Sequence, residues 1–271
     1  MEAEAVRLDV VDDVAHVWLC DPNTRNAVSR TVHHQLASVL RTITDDPGIR
    51  FVVLRGEGGM FSSGGDLTEL SNGLPANYVA DYWTRMSGTV VTLRSMHAVV
   101  IAGIEGAAVG AGAALALAAD IVIAEQDVRM RFPFAHLGLM PDAGTSFVLP
   151  GLVGPAVARD LVLTGRWIGA AEAHERGLIA RLAPAGGVAA EIKSVIEELR
   201  QSPARTLGLV KNMMEATSMS GFVTAVRAEG VQQEAAAASG EYRDFLARVV
   251  DRTSSSRNQP RNQSGNQSPR R

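Results

Sequence analysis

The chain has 271 residues, of which 46% are hydrophobic, and its formal net charge is −3. This composition supports a buried core in one large domain or two small ones, and the weak charge disfavours binding of polyanions such as nucleic acids. A single cysteine, Cys20, excludes an intramolecular disulfide and any multi-cysteine metal site.

Neither a targeting segment nor a membrane span is predicted. The longest apolar region, residues 98–124, is interrupted by Glu105 and Asp120, which leaves 14 uncharged residues between them. A membrane span needs about 20 such residues. The first 13 residues are acidic and lack the basic start and apolar run of a signal peptide. We therefore expect a soluble, cytoplasmic protein that binds no membrane.

The pattern in the first part of the chain alternates strands and helices. Residues 14–19 predict a strand that ends at the Asp21-Pro22-Asn23 turn, and Ser29 is a plausible N-cap of a helix. That helix would carry one apolar face, formed by Val32, Leu36, Val39, Leu40 and Ile43. Continuously apolar strands at 51–54, 98–104 and 121–124 favour a sheet covered on both faces, with helices at about 77–94 and 110–119.

The strand pattern stops after Gly186, and three helices are predicted at 189–201, 203–216 and 223–238. The expected organisation is an α/β core over residues 1–195 followed by a helical region over residues 196–252. Residues 253–271 have no aliphatic, aromatic or acidic side chain, so we expect a disordered tail.

Two glycine-rich loops, at 56–67 and 103–112, each follow an apolar strand. A loop that enters a helix points unpaired N–H groups outward, and two such loops would present two donors to one anionic oxygen. Tight turns with close helix packing explain the same glycines. Spacing excludes a dinucleotide-binding fingerprint, a Walker lysine and a Gly-x-Ser-x-Gly elbow, and the six histidines form no His-x-x-x-His pair, so no metal site is indicated.

Four segments, in order, resemble signatures of the crotonase, or enoyl-CoA hydratase/isomerase, superfamily. They are the turn at 21–28, FSSGGDL at 61–67, EGAAVGAGAALA at 105–116 and FPFAHLGLMPDAG at 132–144. The resemblance covers about residues 5–250. It implies an α/β fold of ββα turns wound into a spiral, with a C-terminal helical region that assembles homotrimers or dimers of trimers. It also implies an acyl-CoA thioester as substrate, with no further cofactor.

The same resemblance assigns roles to individual residues. The main-chain N–H groups of Gly65 and Ala111 would form an oxyanion hole for the thioester oxygen. Coenzyme A would lie along the segments marked by Ala27, Ser63, Asp66 and Leu67. Arg25 would either meet a phosphate of coenzyme A or remain a solvated turn residue.

The sequence departs from the family at both glutamates with which hydratases hold a water. These positions are Ala114 and Phe134, and neither side chain can move a proton. One carboxylate remains at a family-compatible place, Asp142, in a segment whose aromatic residues, Phe134 among them, suggest an apolar substrate pocket. A single carboxylate suits double-bond isomerisation, although Asp142 is also a plausible cap of a helix that starts near Ala143.

The leading interpretation is an enoyl-CoA isomerase that uses Asp142. A hydratase with atypical catalytic residues and a non-catalytic acyl-CoA binder remain as alternatives, and an assembly module would leave the glycine loops unexplained. Two further side chains have alternative interpretations. His136 could be a second polar group in the same pocket, but its apolar segment favours a core histidine. Lys211 is expected to be a solvated lysine or a partner for a phosphate of a neighbour's coenzyme A.

Overall fold

The computed structural model describes residues 4–71 and 83–240, together with Tyr242, Asp244, Phe245 and Arg248. The tail predicted to be disordered and the beginning of the helix predicted at 77–94 lie outside these residues. In the described ranges, no helix combines the length and the hydropathy that a bilayer span requires.

The larger sheet, as far as the described residues show it, has six strands in the order β1-β2-β3-β4-β6-β9. The first pair is antiparallel, and every later pair is parallel. The strands are β1 (Val6–Val11), β2 (Val14–Leu19), β3 (Phe51–Gly56), β4 (Val99–Ile104), β6 (Ile121–Glu125) and β9 (Arg181–Ala183). A smaller sheet joins β5 (Ala107–Val109), β7 (Arg129–Arg131) and β8 (Trp167–Gly169).

Helices flank both sheets and then form the C-terminal part of the described chain. They are α1 (Arg30–Asp45), α2 (Leu67–Ser71), α3 (Gly88–Ser95), α4 (Ala111–Leu117), α5 (Thr145–Val153), α6 (Pro155–Thr164), α7 (Ala170–Glu175), α8 (Val188–Arg200), α9 (Ala204–Ala216) and α10 (Met219–Ala237). A π-helical turn, Trp83–Ser87, precedes α3, and a 3₁₀ turn, Ala135–Leu137, precedes α5.

The central strands are buried on both faces, as their continuous apolar sequence predicts. In β3, Val52 and Leu54 belong to the core that contains α1, whereas Phe51 and Val53 belong to a second core closed by α8. The alternation follows from the period of two along a strand. Because the described residues cover both faces of these central strands, the ends of the strands are the expected places for a ligand to approach them.

The start of α1 confirms the predicted cap. The Ser29 side chain accepts a hydrogen bond from the Val32 main-chain N–H at 3.2 Å. The buried face of α1 carries four of the five predicted apolar residues, Val32, Leu36, Leu40 and Ile43. The N-cap and the apolar spacing that the sequence predicts for α1 therefore agree with the side chains that this helix buries.

Lys211 on α9 differs from the sequence expectation. Its ammonium donates hydrogen bonds to the carbonyls of Leu93 (2.8 Å) and Ala98 (2.9 Å) and lies 2.8 Å from the Asp120 carboxylate. Asp120 also accepts a hydrogen bond from the Val100 N–H at 2.7 Å. The expectation of a solvated or phosphate-binding lysine is wrong, because this buried network pins α9 to the start of β4.

Burial lowers the pKa of the Lys211 ammonium and raises the pKa of the Asp120 carboxyl, and the charge of each partner opposes these shifts. Removal of the Lys211 ammonium leaves the Asp120 carboxylate without its ion pair and the two carbonyls without a donor. We therefore expect Lys211→Met to lower the free energy of unfolding by about 3 kcal/mol, measured by urea denaturation.

Lys193, the other lysine of the chain, is exposed on α8 and provides the control. Lys193→Met should change the free energy of unfolding by less than about 0.5 kcal/mol. Equal effects of the two substitutions would contradict a stabilising role for the buried ion pair.

Candidate active site

The two glycine-rich loops lie side by side beyond β3 and β4. The Ser62 N–H donates to the Ala107 carbonyl at 3.2 Å, and the Val109 N–H donates to the Ser62 carbonyl at 3.1 Å. Gly64 has φ +94°, and a Cβ at this position would lie 2.8 Å from the Val109 carbonyl oxygen. Glycine is therefore required where the loops cross, and the structure brings both loops to one place.

Gly65 and Ala111 stand at the ends of these joined loops. Gly65 forms an isolated bridge with Val28 and is partly exposed, whereas Ala111 is buried as the first residue of α4. Among the described residues, neither main-chain N–H donates a hydrogen bond to a protein acceptor. Both amides are thus available as donors to a ligand, which is the chemical requirement for an oxyanion hole.

The turn at 21–28 is docked on the first glycine loop. The Ser63 N–H donates to the Arg25 carbonyl at 3.0 Å, and the Ser63 hydroxyl donates to the Thr24 carbonyl at 2.7 Å. The Ala27 N–H donates to the Thr24 hydroxyl at 3.1 Å. Arg25 is exposed, and its guanidinium pairs with no carboxylate of the described chain.

The remaining predicted binding residues follow directly along the chain. The Asp66 carboxylate accepts hydrogen bonds from the N–H groups of Thr68 (2.8 Å) and Glu69 (3.3 Å), so it caps α2. Leu67, the first residue of α2, is partly exposed. The structure therefore gathers all of the predicted coenzyme A residues around the first glycine loop.

Asn26 is a further residue of this turn that the sequence analysis does not single out. It is buried, and its side-chain amide donates to the carbonyls of Glu57 (2.8 Å) and Met60 (2.7 Å). Its φ of +58° is one that asparagine tolerates better than most residues. The asparagine thus ties the turn to the glycine loop, and its only sequence signal is its place in the family-like turn.

Asp142 lies in the loop before α5 and holds a buried polar atom without a partner. Its side-chain Oδ1 is enclosed, and no described group donates a hydrogen bond to it. The Thr145 hydroxyl, three residues further on, is also buried and unpartnered within the described chain. Burial raises the pKa of the Asp142 carboxyl to about 8, and the negative charge of Glu229 adds to the rise.

The alternative role of Asp142 as a helix cap is wrong. Helix α5 begins at Thr145 after Gly144, and no side chain of its own segment caps it. The Glu229 carboxylate on α10 accepts hydrogen bonds from the N–H groups of Gly144 and Ser146, each at 2.8 Å. Because Glu229 accepts these hydrogen bonds, the start of α5 does not need the Asp142 carboxyl as a cap.

The positions of the two family glutamates are apolar in the structure as well as in the sequence. Ala114 and Phe134 are both buried. A Cβ on Gly110 would lie 4.0 Å from the Phe134 ring, so this ring flanks the loop that leads to Ala111. Neither position offers a group that could hold or activate a water.

His136 is not the core histidine expected from its apolar surroundings. It is exposed, and its Nδ1 lies 3.1 Å from the Arg131 guanidinium. Within the described part of the chain, no three side chains of the types that bind metals come together. Burial also raises the pKa of Glu229, which accepts hydrogen bonds beside Asp142.

The raised pKa of Asp142 has a consequence for stability. Below about pH 4 the carboxyl is protonated in both folded and unfolded chains; between about pH 4 and 8 it is protonated only in the folded chain. Asp142 must therefore reduce the free energy of unfolding as the pH rises through this window, and its effect levels off above about pH 8.

The substitution Asp142→Asn removes this titration. The free energy of unfolding of the variant should therefore rise relative to that of the wild type between about pH 4 and 8, by a few kcal/mol in total. The measurement is urea denaturation of both proteins across this range. A stability difference that does not vary with pH would show that Asp142 titrates normally.

The sequence profile of the enoyl-CoA hydratase/isomerase family matches residues 10–249. A 1,2-epoxyphenylacetyl-CoA isomerase of Escherichia coli is 32% identical over 253 residues, which cover 90% of this chain and 96% of the relative. A 4-chlorobenzoyl coenzyme A dehalogenase of an Arthrobacter species is 29% identical over 79% of this chain and 78% of the relative.

The fold agrees with these relationships. The crystal structure of an enoyl-CoA hydratase from Bacillus halodurans has a TM-score of 0.85 at 20% identity and covers 90% of this chain and 99% of that protein. The α/β fold, the joined glycine loops and the matching family profile lead to one conclusion. The chain belongs to the enoyl-CoA hydratase/isomerase family of the crotonase superfamily.

Proposed function

We propose that this protein isomerises the double bond of an enoyl-CoA thioester, with Asp142 as the single acid/base. The observation that carries the proposal is the buried Oδ1 of Asp142, which has no hydrogen-bond partner in the described part of the chain and belongs to a carboxyl whose pKa is raised to about 8. General acid–base catalysis works best when the pKa of the group lies near the working pH. The apolar residues Ala114 and Phe134 leave this carboxyl without the partners of a two-glutamate hydratase.

The proposed reaction moves one proton. The ionised Asp142 takes a proton from the α carbon of a 3-enoyl-CoA, and the electron pair of the broken C–H bond passes into the thioester. The negative charge that develops on the thioester oxygen is held by the N–H groups of Gly65 and Ala111. Asp142 then returns the proton to the γ carbon, which leaves the double bond between the α and β carbons.

The substrate is proposed to lie across the docked turn and the first glycine loop. The exposed guanidinium of Arg25, which pairs with no carboxylate among the described residues, suits a phosphate of coenzyme A. The main chain near Ala27, Ser63, Asp66 and Leu67 would follow the pantetheine and adenine. The apolar Phe134 ring beside the second loop would contact the acyl part.

Two alternatives differ from this proposal in their chemistry. A hydratase would add water across the double bond, with Asp142 and an unusual partner. A non-catalytic binder would hold acyl-CoA without turnover. Binding and turnover of a series of acyl-CoA thioesters, scored separately, distinguish the three functions.

Asp142→Asn keeps the size of the side chain but removes the base. We expect binding of acyl-CoA to change little and turnover of a 3-enoyl-CoA to fall about 100-fold or more. Asp127→Asn, an exposed aspartate in the turn after β6, is the matched control and should keep full activity. The assay is the appearance of the conjugated 2-enoyl thioester.

Full isomerase activity in Asp142→Asn would rule out the proposed mechanism. Formation of a hydroxyacyl-CoA by the wild type would favour the hydratase. If the wild type binds acyl-CoA thioesters but converts none of them, the protein is a binder.

Helix α9 exposes an apolar face that supports self-association. Met213 is 78% exposed and Met214 is 75% exposed, and Leu209 and Val210 are exposed beside them. Helix α10, by contrast, buries its apolar residues Phe222 and Val226 within the same chain. We propose that α9 contributes to the interface of a homotrimer or a dimer of trimers.

Light scattering at micromolar concentration should give a trimer or hexamer. Met213→Glu, which places a charge on the exposed face of α9, should shift the protein towards smaller species. Leu163→Glu, at an exposed apolar residue on α6, should not. A wild-type monomer under these conditions would contradict the assembly proposal.

A further inference from the structure

Helix α10 carries a buried stripe that is half apolar and half polar. Phe222, Val226, Glu229 and Gln233 recur at the spacing of one helix face, and each is at most 5% exposed. The apolar half packs against the start of α5, where a Cβ on Gly144 would overlap the Phe222 ring. The polar half needs partners, because unpaired polar groups are costly to bury.

Those partners are main-chain groups on both sides of Asp142. Before it, the Met140 N–H donates to the Gln233 side-chain oxygen at 2.7 Å. After it, the N–H groups of Gly144 and Ser146 donate to the two oxygens of Glu229, each at 2.8 Å. One helix thus fixes the loop at both ends of a five-residue segment, Met140–Gly144, that has Asp142 at its centre.

The backbone of this segment cannot hold its shape by local preference. Ala143 has φ +53° and Gly144 has φ +81°, so two consecutive residues are in the left-handed region. This conformation is unfavourable for alanine. Contacts from outside the loop must therefore maintain it, and α10 supplies them.

We propose that Glu229 and Gln233 are positioning residues for Asp142, holding its loop from both sides so that the carboxyl faces the reacting carbons. This inference rests on the proposed acid/base role of Asp142. It assigns to α10 a part in the chemistry of the site in addition to its packing.

The two residues differ in what they add besides position. Glu229 carries a negative charge that disfavours ionisation of Asp142 and so raises its pKa, whereas Gln233 is neutral. Helices α4 and α5 carry no ionisable side chain, and the other charged residues of α10, Arg227 and Glu234, are exposed. Arg85 lies on the π-helical turn that packs against α10. Among the described side chains, Glu229 is the one whose negative charge adds to the raised pKa of Asp142.

This difference predicts two separate kinetic signatures with a 3-enoyl-CoA. Glu229→Gln should move the acidic limb of the kcat profile to lower pH by about one unit, because a like charge beside Asp142 is removed. Gln233→Leu should lower kcat about tenfold at every pH without moving the limb, because only the loop geometry changes. KM should change less than kcat in both variants.

Neighbouring residues on the exposed side of the same helix serve as controls. Glu234→Gln removes a charge and Gln232→Leu removes an amide, and both should retain the wild-type profile. An unmoved limb in a folded Glu229→Gln protein would overturn the charge effect, and wild-type kcat in Gln233→Leu would overturn the positioning role. If Glu229→Gln fails to fold, the Gln233→Leu result decides the proposal.

A second measurement needs no substrate and separates this inference from the proposed function. The difference in the free energy of unfolding between the wild type and Asp142→Asn is measured against pH. The same difference is then measured between Glu229→Gln and the double variant that carries Asp142→Asn and Glu229→Gln. The midpoint of that difference should move to lower pH when Glu229 is absent. An unmoved midpoint would overturn the charge effect assigned to Glu229, even if the wild type isomerises enoyl-CoA. Absence of turnover alone would refute only the proposed reaction.

Discussion

The candidate site depends on the main-chain pairing of the two glycine-rich loops around Ser62. Its hydrogen bonds with Ala107 and Val109 continue the parallel order of β3 and β4 beyond the ends of these strands. The pairing tolerates no side chain at Gly64, and it fixes the path of the chain to Gly65 on one side and to Ala111 on the other. Without it, these two amides, which have no acceptor among the described residues, would belong to independent loops and could not form the proposed oxyanion hole.

Asp142, the proposed acid/base group, owes its raised pKa more to burial than to a neighbouring charge. Desolvation is the main reason that the pKa of Asp142 rises, and the charge of Glu229 contributes less. A carboxyl with a raised pKa lowers the free energy of unfolding at neutral pH, because its ionisation is unfavourable at a buried position. The hydrogen bonds from Gly144 and Ser146 to Glu229 offset part of that cost by completing the start of α5. The start of α5 therefore lies beside the proposed acid/base group and also holds hydrogen bonds that stabilise the fold.

The sequence predicts those parts of the fold whose signals are local. The Ser29 cap, the apolar face of α1 and the continuously apolar β3 and β4 are each contained within one segment, and the structure confirms them. The family-like motifs also indicate Gly65, Ala111 and Asp142 as candidate site residues. Side chains whose partners are distant in the chain could not be predicted. Glu229 lies 85 residues from Gly144, and a polar residue on a helix is ordinarily read as exposed. Lys211 is misread for the same reason, because its partner Asp120 belongs to a different element.

The proposed reaction requires one carboxyl and two main-chain amides to act on the same acyl thioester. A crystal structure of the Asp142→Asn protein with a 3-enoyl-CoA tests this requirement. We expect the thioester oxygen to lie within about 3 Å of the N–H groups of both Gly65 and Ala111. We also expect the side chain at position 142 to face the α and γ carbons from one side. A thioester oxygen bound elsewhere, or a position 142 turned away from the acyl chain, would contradict the proposed reaction.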